Sequence, residues 1–353
     1  MNLPDFPWDL LAPYSKRAKE YEGGSIDLSQ GTPVDPVPDF IQEELIKSSN
    51  SPGYPLTIGK PDLREAIHQW AISELGVRGE FDFLPTIGSK ELIAWLPTLL
   101  EVDSVAYPKI AYPTYLVGAL IAKAKPIAVD IDADNWPKVE LVWINSPSNP
   151  TGRVHTQSEL QAVINYSRNN NAIVASDECY LPFHNYGEKP RSILSLANGD
   201  NEGLLAIHSL SKRSNLAGYR AGLIIGDKNL ISKIREIRKH AGMLVPTPVQ
   251  NAMIAALRNQ NHVIEQVSKY NERRKKLIEA LSKLNFNIVE SGSGLYIWCT
   301  RGEKDWNTVE WFSERGIVVT PGSFYGEESG DFVRIALTAT DENIIKVVNR
   351  ILN

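Results

Sequence analysis

Leu204-Leu-Ala-Ile-His-Ser-Leu210 runs directly into Ser211-Lys-Arg-Ser-Asn-Leu-Ala-Gly-Tyr-Arg220, an apolar stretch that stops in a cluster of hydroxyls and cations. The first seven residues are short, apolar and largely β-favouring, as a strand buried on both faces requires. Two earlier stretches, Leu141–Asn145 (LVWIN) and Ala172–Asp177 (AIVASD), have the same make-up and the same abrupt polar ending. Between them Thr156-Gln-Ser-Glu159 carries the capping-box spacing that opens a helix, after which Leu160, Val163 and Ile164 fall on one face. A strand–helix–strand order predicts parallel pairing. The three polar endings should therefore meet along one sheet edge, where open α/β folds gather their ligands.

Working outward, Leu63–Leu75 and Lys90–Leu100 read as helices, the second starting straight after the turn Ile87-Gly-Ser89. Its free N–H groups are suited to an anion. Leu230–His240 is a further helix, and Val263, Val267, Tyr270, Leu277, Leu281 and Leu284 keep the three-to-four spacing of a long amphipathic one. Strand-sized runs follow at Ile288–Glu290, Leu295–Cys299, Ile317–Thr320 and Phe332–Leu337. The fold expected is α/β: a large unit with a mostly parallel sheet flanked by helices, joined by the long helix to a smaller α/β unit.

The 353 residues are ample for two such units, and 42% apolar with 22% charged residues excludes disordered and low-complexity classes. A net charge of −5 has the wrong sign for a chain that lives on nucleic acid or anionic lipid. Cys179 and Cys299 are too few for a disulfide framework, and the six histidines form no HExxH pair, so no metal site is expected. The start, MNLPDFPWDL, has no signal-peptide pattern, and the apolar run Leu92–Leu100 is short and broken by Pro97. A cytoplasmic location is expected.

Lys212 is the candidate nucleophile. An amine at a strand's carboxyl end, partly desolvated and near Arg213 and Arg220, should lose its proton more readily than free lysine. The other two strand ends bring Asn149, in Asn145-Ser-Pro-Ser-Asn-Pro-Thr-Gly152, and Asp177 with Tyr180. A lysine, a carboxylate, an amide and a phenol are what pyridoxal 5′-phosphate needs: an amine for its aldehyde, an acid for its ring nitrogen, and donors for its phenolate oxygen. Gly88, Ser89 and Lys90 at a helix start, with Ser209, Ser211 and Arg220, would anchor the phosphate. Tyr112 is a candidate to stack on the ring. Singly, each has a plainer reading: a solvated loop lysine, a turn-capping Asp177, an ordinary Asn149-Pro-Thr-Gly turn. Their order along the chain favours the joint reading.

These residues resemble the fold-type I pyridoxal-phosphate aminotransferases of classes I and II over nearly the whole chain. The resemblance runs through Tyr54-(x)4-Gly59-(x)3-Leu63-Arg64, Asn149-Pro-Thr-Gly152, Asp177-Glu-Cys-Tyr180, Ser209-(x)2-Lys212-(x)7-Arg220 and Arg334. It implies a catalytic set of Lys212, Asp177 and Tyr180, with Lys212 bonding the cofactor aldehyde and shuttling a proton. It also implies substrate α-carboxylate binding by Gly31, Asn149 and Arg334, and a homodimer in which Tyr54 reaches the neighbouring phosphate. The domains implied are 32–275 for the cofactor, and 1–31 with 276–353 for the small domain. Residues 211–220 together with Lys239-His-Ala-Gly-Met-Leu-Val-Pro-Thr-Pro-Val-Gln250 look like the succinyldiaminopimelate aminotransferases of lysine biosynthesis, which work with 2-oxoglutarate and glutamate. Lys239 or His240 would then serve a distal carboxylate, or would merely complement the helix macrodipole. Rivals within the fold are a broad-specificity aspartate or aromatic aminotransferase and a carbon–sulfur β-lyase. A non-catalytic pyridoxal-binding regulator is disfavoured, because the chain starts directly with the family's N-terminal segment and leaves no room for a DNA-reading module. A nicotinamide dehydrogenase is disfavoured too, since Gly292-Ser-Gly294 lacks a third glycine and runs into a strand-like stretch.

Overall fold

The computed structural model describes residues 3–353. A short strand β1 (Ile26–Asp27) precedes β2 (Asp82–Ile87), β3 (Ser104–Pro108), β4 (Lys125–Val129), β5 (Leu141–Asn145), β6 (Ile173–Asp177), β7 (Leu204–Ser209) and β8 (Ala221–Gly226). The last seven form one sheet in the order β2-β8-β7-β6-β5-β3-β4. Neighbours pair in parallel except β8, which is antiparallel to both β7 and β2. That one reversal matters for the site: β8 begins at the edge where the other six end, so Arg220, just before it, emerges beside the residues that follow β2, β5, β6 and β7.

The period of two along each strand divides its side chains between two cores. Val142, Ile144, Leu204 and Ala206 face one way, onto Leu63, Ile67 and Trp70 of the helix Pro61–Ser73 and onto Leu160 and Val163 of Gln157–Asn170. Leu141, Trp143, Leu205 and Ile207 face the other, onto Leu92 and Leu96 of Ser89–Leu100, Tyr115 of Thr114–Ala122 and Ile234 of Lys228–His240. The expected capping box is formed: Thr156 Oγ1 accepts from the Glu159 N–H at 3.2 Å and the Glu159 carboxylate takes the Thr156 N–H at 2.8 Å.

Asn261–Lys283 is the long helix, and it leads to β9 (Asn287–Val289), β10 (Tyr296–Thr300), β11 (Ile317–Val318), β12 (Thr320–Pro321) and β13 (Val333–Ala336). Four of these make an antiparallel sheet in the order β12-β13-β10-β9. The run Ile317–Thr320, expected as one strand, serves two sheets. Its first two residues pair in parallel with β1, through Leu28 N–H to Val318 O at 2.8 Å, and the chain then turns so that Thr320 pairs with Arg334. A third core joins Leu11, Ile26 and Leu28 to Tyr270, Leu277, Trp298, Val347 and Ile351, with Tyr180 and Phe183 packed into it. Arg273 on the long helix ties these parts together, donating to both oxygens of Asp35 at 2.7 and 2.8 Å and to Asp341 at 2.6 Å. Among the described residues no helix is long and apolar enough to cross a membrane, and no cluster of side chains could hold a metal ion.

Candidate active site

Asp177, the last residue of β6, is buried. Its Oδ2 accepts from the Tyr115 hydroxyl at 2.8 Å, and its Oδ1 accepts from the Cys179 N–H at 3.2 Å. The carboxylate thus does cap the following turn, while its other oxygen is held by a phenol that stacks on Trp143 at 5.0 Å. Burial raises the Asp177 pKa above the usual carboxylate range, and the bonds from Cys179 and Tyr115 pull against that.

Lys212 sits half-buried on the short helix Leu210–Arg213 that follows β7. Arg213 corrects an expectation, because it does not lie beside the lysine amine. About 100° further round the helix, its guanidinium is buried over Trp70 at 5.3 Å and donates to Gln260. Burial lowers its pKa to about 10. The second and third cations at the site are instead Lys90 and Arg220, both exposed. The Lys90 pKa is lowered by desolvation and then by the charges of Arg220 and Lys212, with no carboxylate acting against them. Gly88 precedes this helix at φ 75°, and a Cβ there would lie 2.2 Å from Arg220 Nη2. Ser89 opens the helix Ser89–Leu100, while the Ser209 hydroxyl accepts from the Ser211 N–H at 3.1 Å.

Facing this edge is a wall made largely by the small sheet. Arg334, on β13, is only 2% exposed, and its guanidinium carbon lies 4.0 Å from the ring centre of Tyr296 and 5.0 Å from that of Tyr325. Its Nη1 donates to Asn149 Oδ1 at 2.9 Å and its Nη2 to the Ser29 carbonyl. Asn149 is itself held by its N–H to Asn145 Oδ1 at 2.7 Å, and Asn145 Nδ2 reaches the Asp177 carbonyl at 2.8 Å. The loops after β5 and β6 are thereby locked together. Tyr180 and Tyr296 share a hydroxyl–hydroxyl bond of 3.0 Å, and burial pushes the Tyr180 phenol well up. A Cβ on Gly31 would fall 2.1 Å from the Tyr296 hydroxyl, so glycine is the residue that leaves this oxygen room. Tyr112 packs edge-on to Tyr115 at 5.9 Å, and burial raises its phenol to about 12.

Tyr54 stands apart, 97% exposed in the single chain. Lys239 and His240 are exposed on the last turn of their helix, Lys239 facing Glu236 at 3.9 Å. Tyr115, Tyr296 and Tyr325 were not singled out from the sequence. Tyr115 carried a signal, lying one helical turn beyond Tyr112 in Tyr112-Pro-Thr-Tyr115. Tyr296 is brought to Arg334 by the pairing of β10 with β13 and Tyr325 by the turn after β12, and neither carried one.

Residues 24–351 match the family model for aminotransferase class I and II. The chain is 46% identical, over 99% of its own length and 99% of the relative's, to a 4-dedimethylamino-4-oxo-anhydrotetracycline transaminase of Streptomyces rimosus. It is 32% identical to the LL-diaminopimelate aminotransferase of Aquifex aeolicus, covering 96% of this chain and 94% of that one. Among solved structures, a probable N-succinyldiaminopimelate aminotransferase of Thermus thermophilus superposes with a TM-score of 0.88 at 26% identity, covering 98% of this chain and 99% of that one. The reversed β8, the lysine and aspartate at one sheet edge and the match over nearly the whole chain agree: this protein belongs to the class I and II aminotransferases, fold-type I enzymes that use pyridoxal phosphate.

Proposed function

We propose that the protein transfers the amino group of an α-amino acid of the diaminopimelate type, N-succinyl-LL-2,6-diaminopimelate in the first instance, with 2-oxoglutarate and glutamate as the returning pair. The observation that carries the α-amino acid part is Arg334, a buried guanidinium bounded by two ring faces, an amide oxygen and a backbone carbonyl, with no carboxylate partner among the described residues. A fork-shaped cation in that state matches a planar carboxylate arriving with the substrate. Gly31 and Asn149 would complete the contact.

The residues present fit the cofactor. Lys90, Lys212 and Arg220 are mutually repelling cations at the start of a 12-residue helix, a setting that an anion relieves, and Gly88 leaves the space that a Cβ would fill. Gly88, Ser89, Lys90, Ser209, Ser211 and Arg220 would hold the phosphate, joined by Tyr54 from a second copy in a homodimer. Tyr112 would stack on the ring, and Asn149 and Tyr180 would donate to its phenolate oxygen. When bound, the cofactor supplies a protonated ring that takes up the electron pair left as the Cα–H bond breaks. Asp177 would keep the ring nitrogen protonated, and Lys212 would hold the aldehyde and, as a free amine, carry the Cα proton on Nζ. Residues 32–275 would carry the cofactor, with 1–31 and 276–353 as the small domain bearing Arg334.

The diaminopimelate reading is supported by the relatives of that activity. The tyrosine-lined wall and the relative acting on an anhydrotetracycline favour a second reading, a donor or acceptor with ring character. A donor panel of N-succinyl-LL-2,6-diaminopimelate, LL-diaminopimelate, glutamate, aspartate and phenylalanine tests both, with 2-oxoglutarate as acceptor and pyruvate replacing it for glutamate. The highest kcat/KM is expected with the succinylated donor. Preference for phenylalanine would turn the assignment to the second reading.

A further inference from the structure

We infer that the Tyr296 hydroxyl is a positioning group: it gives its proton to Tyr180 and so directs the Tyr180 proton to the phenolate oxygen of the cofactor. The inference rests on the reading of Tyr180 as a donor to that oxygen, and adds the residue that sets the donor's direction.

Tyr296 opens β10 and is firmly held. It pairs with Ala336 of β13, its backbone carbonyl accepts from the buried Arg274 of the long helix at 3.2 Å, and the Arg334 guanidinium lies over its ring. Its hydroxyl meets the Tyr180 hydroxyl at 3.0 Å, the ring centres standing 5.7 Å apart and the planes at 69°. Gly31 covers the same oxygen so closely that a Cβ would lie 2.1 Å from it. Tyr180 belongs to the loop after β6, in Asp177-Glu-Cys-Tyr180, and a bond from the Phe183 N–H to its carbonyl at 3.0 Å closes the turn around it. Both side chains are buried, and neither hydroxyl has a second hydrogen-bond partner among the described residues. Tyr112 feels the charges of both Asp177 and Tyr296, which sets the pair beside the proposed ring position.

Each phenol has one proton to give. The bond between them uses one of the two, and either oxygen can supply it while the pair is alone. A phenolate oxygen carries no proton, so facing Tyr180 it takes the only one that residue has. The bond between the two tyrosines then survives in one direction, with Tyr296 donating. A donor that itself accepts a bond is polarised and gives a stronger one, by about 10–30%. Phenylalanine at 296 would keep the ring beneath Arg334 and its edge contact with Tyr180, and would lose only this direction. The ring serves the wall, and the hydroxyl serves Tyr180. Burial pushes up the phenols of Tyr112, Tyr180, Tyr270 and Tyr325 and the Cys179 thiol, so these groups around the pair stay neutral where the cofactor titrates, while Arg334 stays charged.

The test reads the visible absorption of substrate-free holoenzyme across a pH series, so that no turnover is needed. The absorption changes as a proton leaves the nitrogen that joins Lys212 to the cofactor. The phenolate charge holds that proton and a donor to the oxygen weakens the hold, so losing a donor raises the midpoint. Tyr180→Phe should raise it by about one pH unit. Tyr296→Phe should raise it by about 0.3 pH units, as loss of the polarising bond requires. The double variant should match Tyr180→Phe alone, because Tyr296 acts through Tyr180. A midpoint in Tyr296→Phe within about 0.1 pH units of the parent would overturn the inference and leave the role of Tyr180 standing. A further rise in the double variant would overturn it too, by giving Tyr296 a route to the cofactor that bypasses Tyr180. An unmoved midpoint in Tyr180→Phe would instead remove the reading beneath, and the inference with it.

Discussion

The sheet edge and the wall opposite it hold positive charge under different conditions. At the edge, Lys90 and Arg220 are exposed and Lys212 is half-buried, so water screens their mutual repulsion. At the wall, Arg334 is sealed from solvent, and its charge is offset by permanent neighbours: two ring faces, an amide oxygen and a carbonyl. The difference separates two kinds of anion. Open cations with little built around them suit a group that stays and completes the structure. A buried, pre-paid cation suits a carboxylate that comes and goes, because it stands ready between visits.

The largest effect belongs to the edge. Lys212→Ala should lower turnover by about 10⁴-fold or more, because it removes both the covalent hold on the cofactor and the proton carrier. Borohydride treatment should then leave no cofactor attached to the chain. A label that survives in the variant would move the covalent link to another lysine and end the assignment of the edge. At the wall, Arg334→Ala should raise KM about a hundredfold for the amino acid and the oxo acid alike, as the proposal of one anchor for both half-reactions requires. An effect on only one of the two substrates would mean that separate anchors exist, and the contrast between edge and wall would lose its second half.

The edge was largely legible in the sequence and the wall was not, for a physical reason. β5 spans Leu141–Asn145 as its polar boundary predicts, and Thr156 and Glu159 form their capping box, because both features are written in residues close along the chain. Asp177, Lys212 and Asn149 share one edge because they end or follow parallel strands, and Arg220 joins them because it precedes the reversed β8. Arg213 is the exception at the same edge: adjacency to Lys212 in sequence becomes about 100° of separation around the helix. The wall depends on β10 and β13 pairing so that Trp298 lies opposite Arg334, and on Ser29 and Thr320 arriving from distant segments. No local pattern encodes that meeting, so Tyr296 and Tyr325 stayed invisible beside an arginine that a motif had marked.

The smallest of these effects sharpens the edge side of the contrast, through the buried Asp177. Asp177 is raised by burial and pulled down by the Tyr115 hydroxyl and by Cys179. A folded-state pKa above the unfolded value contributes stability that is fully present below the ordinary carboxylate pKa and is lost as pH climbs through the raised one. Tyr115→Phe removes a donor to the charged form, so the folded-state value should climb further and the window of declining stability should extend to higher pH. Thermal midpoints of the cofactor-free protein across a pH series read this directly: parent and variant should agree at the acid end and diverge as pH rises. With the cofactor bound, the same variant should hold the ring proton more tightly on the acid and transfer the amino group about tenfold more slowly. Parallel curves at every pH would mean that Tyr115 only fills space beside Trp143, and the carboxylate would then owe its state to burial, to Cys179 and to His208.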